Sequence, residues 1–132
     1  MQGKITLITP PDIYENSNFS ILFIGLSEEQ QEKTSQWLGK KDDLPDCNFY
    51  YYQGENNPEW LLYAVNRSDI IFLNLDTDSA IINIMGSYIL GKTGVCYTTK
   101  DENLKALISY INNQYVPNVE KFLEKVFDVN QE

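Results

Sequence analysis

Asp69-Ile70-Ile71-Phe72-Leu73-Asn74-Leu75-Asp76-Thr77-Asp78-Ser79 decides the fold of this chain. From Ile70 to Leu75 the residues are β-branched, aromatic or aliphatic, with Asn74 as the one polar interruption. There is no alternation of polar and apolar positions. A strand of that kind is covered on both faces, which is the signature of a parallel sheet. Asp69 marks its start. Asp76-Thr77-Asp78-Ser79 then supplies residues suited to capping a following helix.

The pattern repeats on either side. Upstream, Ser20-Ile21-Leu22-Phe23-Ile24-Gly25-Leu26 is a second continuous apolar run. Ser27, with Gln30 three residues on, forms a capping-box pattern, and a mostly polar helix is expected from Glu28 to about Leu38. Its buried stripe is narrow, near Trp37 and Leu38. Phe49 to Tyr52 is another strand candidate, with Tyr51 on one face and Tyr50 and Tyr52 on the other. Asn57, Pro58 and Glu59 suit a helix start. Trp60, Leu61, Ala64 and Val65 share one face of that helix. Downstream, Ile81, Ile82, Met85, Tyr88 and Ile89 follow helical spacing up to Gly91, a favourable residue just past a helix end. Val95 to Thr98 is a strand. Asp101 suits the cap of a helix with Leu104, Leu107, Ile108 and Ile111 at i, i+3, i+4 and i+7. Pro117 precedes a last helix carrying Val119, Phe122, Leu123, Val126 and Phe127. Ile5 to Ile8 is a short β-like run at the start.

The expected order is β-β-α-β-α-β-α-β-α-α. Strands alternating with helices imply helices on both sheet faces. The expected architecture is a three-layer α/β/α fold, flavodoxin-like or Rossmann-like, with a five-stranded, mainly parallel sheet. Residues 1–132 form one domain, a usual single-domain length.

The charge is the unusual quantity. Ten Lys and Arg face 19 Asp and Glu, a net charge of -9, with no His. Nucleic-acid affinity rests on cations neutralising phosphates, so no nucleic acid is expected as partner. An anionic membrane is disfavoured for the same reason. The absence of His excludes His-based triads, His proton shuttles and zinc sites with His ligands. Cys47 and Cys96 lie outside any C-x-x-C pattern and read as two thiols in a reducing compartment. Residues Met1 to Pro10 contain no long apolar run of the signal-peptide kind, and no run approaches the length of a membrane span. A soluble, cytoplasmic protein is expected, with no metal and no cofactor.

Ligands of such sheets bind outside the carboxyl ends of the strands. That edge should carry Gly25 to Ser27, Asp76 to Ser79, Thr98 to Lys100 and the loop from Gln53 to Glu59. It is polar and acidic. Neither G-x-G-x-x-G nor G-x-x-x-x-G-K-[ST] occurs, and carboxylates oppose a phosphate at a helix start. A neutral, hydroxyl-rich ligand suits it better. Asp76 and Asp78 are too few for a dedicated metal site. Asp69 falls at the opposite edge by counting, where its structural role is to bond the preceding turn through Arg67 or backbone N–H groups.

Three segments in order resemble the nucleoside 2-deoxyribosyltransferase-like family. One is Ser20 to Ser27 followed by Trp37, preceded by Ile8-Thr9-Pro10-Pro11-Asp12. Another is Pro58 to Phe72, which resembles a helix and strand joined through an Ala-Asp-hydrophobic pattern. The last is Asn83 to Lys92, similar to a Glu-Leu-Gly-containing helix ending in Gly-Lys. The resemblance covers residues 8–115.

It implies chemistry at the N-glycosidic bond of deoxynucleosides, with a Glu attacking the sugar's anomeric carbon and a second acid assisting the departing base. The Ala-Asp acid corresponds to Asp69. The nucleophilic Glu corresponds to Asn83, whose amide is a poor nucleophile and carries no negative charge. The Gly expected two residues later is Met85, with Gly86 one place further on. The resemblance thus points to a nucleoside-like ligand bound by Phe23, Gly25, Ser27, Trp60, Asp76 and Gly86, around a catalytic position held by Asp69, Asp78 and Asn83. The chemistry is weak or lost. Two alternatives remain: an active transferase or hydrolase using Asp69, Asp76 or Asp78, and an acidic, non-enzymatic protein that binds a basic partner. Family members self-associate, so the resemblance also implies a homo-oligomer.

Overall fold

The computed structural model describes residues 6–7, 19–41, 47–52 and 58–127. Its elements are β1 (Thr6–Leu7), β2 (Phe19–Ile24), α1 (Glu28–Gly39), β3 (Cys47–Tyr52), α2 (Pro58–Arg67), β4 (Ile70–Asn74), α3 (Ala80–Leu90), β5 (Val95–Thr98), α4 (Glu102–Ile108) and α5 (Val119–Phe127). From β2 onward, strands and helices alternate as the apolar runs predict. The chain is an α/β protein on a parallel sheet, with strands in the order β3-β2-β4-β5. The short β1 pairs in parallel with Tyr50 and Tyr51 on the outer side of β3.

Period-two alternation distributes the strand side chains between two clusters. Leu22, Ile24, Ile71, Leu73, Val95 and Tyr97 pack with Leu61, Ala64 and Val65 of α2, Ile82 and Ile89 of α3, and Ile108 of α4. Ile21, Phe23, Phe49, Phe72 and Cys96 pack with Leu38 of α1 and with Val119, Phe122 and Leu123 of α5. Phe122 is the centre of the second cluster. Its ring meets Phe72 at 4.9 Å and Phe23 at 5.7 Å between centroids. The tyrosine run divides as alternation requires: Tyr50 and Tyr52 in one cluster, Tyr51 against the other.

The capping reading of α1 holds. Ser27 Oγ accepts from Gln30 N at 3.1 Å, and Gln30 Oε1 accepts from Ser27 N at 2.8 Å. Ser79 caps α3, and Asp101 caps α4 by accepting from Asn103 N and Leu104 N. Asn57, expected as the cap of α2, lies outside the described residues.

Two details differ from the sequence pattern. Gly91 ends α3 at φ -80, so its left-handed freedom is not used there. The positive-φ glycines are Gly25 and Gly94. On α4, Ile108 is buried and Leu104 half-buried, while Leu107 is exposed. The helix ends at Ile108, so Ile111 falls in the following turn and leaves the stripe. Asn112 in that stretch donates from Nδ2 to Val95 O at 3.1 Å and to Leu90 O at 3.2 Å. It thus covers part of the free edge of β5, which also bridges to Tyr115 through Tyr97. No helix among the described residues is long and apolar enough to cross a membrane.

Candidate functional site

The strand order sets where a site can form. β2 leads through α1 to β3 on one side. β4 leads through α3 to β5 on the other. The carboxyl ends of β2 and β4 are therefore the point where the connections diverge, and a crevice opens there.

Gly25 follows β2 at φ +78. A Cβ at this position would stand 3.1 Å from Asn74 O and 3.3 Å from Thr77 Cβ. Glycine thus allows the two loops to approach at the crevice floor. Asn74, 6% exposed, ends β4 and joins the loops by its side chain. Its Nδ2 donates to Gly25 O at 2.8 Å and to Gln30 Oε1 at 3.2 Å. Its Oδ1 accepts from Asp76 N at 3.0 Å. Asp76 continues the network toward β5. Its Oδ1 accepts from Thr99 Oγ1 at 2.8 Å, and its Oδ2 from Lys100 N at 2.9 Å. Thr98 Oγ1 donates to Pro117 O at 3.2 Å and fixes the approach to α5. Three loops are therefore held by one chain of polar contacts. Among the described residues no buried side-chain nitrogen or oxygen lacks a partner.

Above this floor lies a cleft of about 340 Å³ between the N-terminal turns of α1 and α5. Ser27, Gln30, Asn74 and Asp76 line it, with Lys33 and Lys100 at its sides and Asn118 and Glu120 from the start of α5. Lys33 pairs with Glu29, also on the wall, at 3.4 Å. The walls are rich in hydrogen-bonding groups of both kinds and mixed in charge. Such a site suits a polar ligand with several hydroxyl or amide groups.

The residues expected at the site are distributed unevenly. Ser27 and Asp76 line the cleft, and Gly25 lies in its floor. Asp78 and Asn83 are exposed in the turn before α3 and in its first turn, outside the cleft wall. Asn83 Nδ2 reaches Thr77 O only at 3.5 Å. Asp69 lies at the other end of β4, about 16 Å from Asn74 by strand rise. Its Oδ2 accepts from Ser20 N at 2.8 Å and its N–H donates to Ser20 O at 3.0 Å, which ties the starts of β2 and β4 together. The bonded backbone N–H belongs to Ser20 on the neighbouring strand, not to the turn before Asp69 that was expected. Asp69 is therefore not brought together with Asp78 and Asn83. Phe23 is 0% exposed within the aromatic cluster and offers no surface to a ligand. Trp60 is half-buried on α2 against Tyr63. Gly86 is buried in the middle of α3, where an added Cβ would meet only Leu75 Cδ2 at 3.9 Å. The Gln53 to Asn57 part of the expected edge lies outside the described residues.

Asn74, Gln30, Lys33, Asn118 and Glu120 are the wall residues that the sequence reading did not pick out. Asn74 had a visible signal, an amide at the end of an otherwise apolar strand. Gln30 was read only as half of a capping box, yet its Oε1 serves both the cap and Asn74. The α5 residues reach the cleft through the path of the chain after β5, which has no local signature.

Three shifted pKa values lie away from the cleft. Burial pushes the Cys96 thiol up, against a smaller opposing pull from Lys125. Burial also raises Tyr97, with a further push from Tyr115. Hydrogen bonding with Lys92, and then with Asn66, lowers Tyr88. Among the described residues no group of three or more His, Cys, Asp or Glu converges as a metal centre. No protein-family model matches the chain, and no curated protein matches it either.

Proposed function

We propose that the chain is a small-molecule binding domain whose cleft at the β2–β4 divergence holds a nucleoside or nucleotide-derived ligand, without efficient cleavage of it. The observation that carries this reading is the cleft itself, at the position where doubly wound sheets bind ligands, walled by Ser27, Gln30, Asn74 and Asp76. The order β3-β2-β4-β5 with helices contributing to both core clusters supports the finer three-layer, flavodoxin-like description, with β1 as the fifth strand. The nucleoside class rests on the resemblance of the three sequence segments to the nucleoside 2-deoxyribosyltransferase-like family. The absence of efficient chemistry rests on Asn83 at the nucleophile position and on Asp69 at the far end of β4. Asp76, the remaining candidate acid in the wall, has an oxygen engaged by Thr99 and the other by Lys100 N. The cytoplasm is the compartment proposed, because Cys47 and Cys96 lie outside any C-x-x-C pattern and suit a reducing environment.

Thermal-shift titration against nucleosides and deoxynucleosides tests the binding. A ligand present at a hundred times its Kd stabilises the fold by about 2.7 kcal/mol. No stabilisation by any of them at millimolar concentration overturns the reading. Chromatography after incubation with a deoxynucleoside and a second base tests the chemistry. Base release or exchange by the native chain favours the active-enzyme alternative.

One observation favours a second reading, a non-enzymatic protein that meets a basic partner. Lys41, Arg67, Lys92 and Lys105 each lie over an aromatic ring. These cations keep their charge there, and the chain still carries a net charge of -9, whose field attracts a basic partner. Pull-down of a basic protein at low salt that is lost at high salt supports it; capture indifferent to salt contradicts it.

A further inference from the structure

A second hollow, of about 340 Å³, lies at the amino edge of the sheet, away from the cleft. It sits between the starts of β4 and β5 and the last turn of α5. Ile70, Val95 and Cys96 wall it from the sheet, and Val126 walls it from the helix. The sheet holds that wall in place. Ile71 N–H donates to Gly94 O at 2.9 Å, and Val95 and Cys96 are both core residues. Burial raises the Cys96 thiol, so it remains a neutral group in the wall. A preformed hollow with apolar walls and few polar groups is the usual form of a small-molecule site.

The polar groups at this hollow are Gln114 and Lys125. Gln114 is fixed through its backbone. Its N–H donates to Asn112 Oδ1 at 2.7 Å, and its carbonyl accepts from Tyr97 N at 3.0 Å. Its side-chain amide is left to face outward. Lys125 stands in the last turn of α5, where a lysine ordinarily offsets the negative end of the helix. Here it also borders the apolar wall, close enough for its charge to act on Cys96. The acids nearest in sequence are engaged elsewhere. Glu124 pairs with Lys121 at 3.3 Å, and Asp69 Oδ2 accepts from Ser20 N at 2.8 Å. In a chain of net charge -9, Lys125 has no carboxylate partner among the described residues.

One ammonium and one amide beside an apolar wall match a single carboxylate on a hydrocarbon body. A phosphate carries more charge and more oxygens than these two groups satisfy. We infer that the hollow between β4, β5 and the end of α5 binds a small carboxylate with an apolar body, its carboxylate at Lys125 and Gln114 and its hydrocarbon against Ile70, Val95, Cys96 and Val126. The inference is independent of the cleft at the divergence of β2 and β4 and of its ligand.

Amide chemical shifts of the labelled full chain test it, in separate titrations with octanoate, 1-octanol and acetate up to about 10 mM, a range that detects millimolar affinity. Octanoate gives saturable shifts at Ile70, Val95, Cys96 and Val126 and binds more tightly than octanol; acetate gives none. Lys125 is exposed, so its variants keep the fold. Lys125→Gln weakens octanoate by about five-fold and leaves octanol unchanged. No saturable octanoate shifts, or shifts grouped at Ser27 and Gln30 instead, overturn the inference. So do octanol binding as tight as octanoate, acetate shifts at the same residues, or octanoate affinity indifferent to Lys125→Gln.

Discussion

Replacing Asn74 by Ala should loosen the whole carboxyl edge. The side chain makes contacts at 2.8 Å, 3.2 Å and 3.0 Å with Gly25 O, Gln30 Oε1 and Asp76 N. Each such bond contributes about 0.5–1.5 kcal/mol net, and a polar group left buried without its partner costs about 1–3 kcal/mol. Gln30 Oε1 keeps its bond from Ser27 N, so Gly25 O and Asp76 N bear the loss. The sum is about 2–4 kcal/mol, a large share of the roughly 5–15 kcal/mol that holds a domain together. Urea unfolding followed by circular dichroism measures it, as a fall of about 1–2 M in the midpoint. Asn74→Asp carries a sharper signature. It sets a carboxylate against Gly25 O and Gln30 Oε1, both acceptors, so the folded protein raises the new group's pKa above its unfolded value of about 3.9. A group raised on folding contributes its full stability below the unfolded pKa and loses it as pH rises through the folded one. The gap between Asn74→Asp and the native chain should therefore widen as pH rises from about 4 through the folded pKa. A change under 0.5 kcal/mol for Asn74→Ala, or an Asn74→Asp gap that does not vary with pH, refutes the reasoning.

Gly94→Ala should destabilise by about 2–4 kcal/mol, because at φ +81 its Cβ would stand 2.7 Å from Asp69 O. Gly86→Ala, with only a 3.9 Å contact, should be neutral or stabilise by up to about 1 kcal/mol through helix propensity; thermal melts of the two variants compare them directly. Asp76→Ala removes the bonds from Thr99 Oγ1 and Lys100 N and should cost about 1–2 kcal/mol in urea unfolding, with amide exchange quickened in the β5–α4 loop. Burial raises the Cys96 thiol above its unfolded value, so its contribution is complete below the unfolded pKa and falls as pH rises through the folded one. Cys96→Ala should accordingly lose less stability than the native chain between neutral and alkaline pH, with Tyr97, raised in the same sense, accounting for a residual decline.

Strands β2, β4 and β5 were legible because their side chains are apolar on both faces, the pattern of a buried parallel strand. Ser27 with Gln30, Ser79 and Asp101 were legible because capping is a local matter of a few residues. The floor of the cleft was legible as a set of strand ends, which is why Gly25 and Asp76 fell where expected. Its central residue was not. Asn74 acts through partners 49 and 44 positions away, and nothing local announces such a bond. Family resemblance drew Phe23 and Gly86 toward the ligand, but sheet alternation turns Phe23 into the aromatic cluster and helix periodicity turns Gly86 toward Leu75. Asp69 illustrates the same limit. Its position at the amino edge follows from counting, whereas its partner Ser20 depends on strand order.

The central claim is that the β2–β4 cleft is a ligand site. Amide chemical shifts of the labelled chain, followed during titration with a nucleoside, test it most directly. The account predicts saturable shifts grouped at Ser27, Gln30, Asn74, Asp76 and Lys100, weakened in Lys100→Ala. Shifts absent up to millimolar nucleoside, or grouped away from those residues, would contradict it.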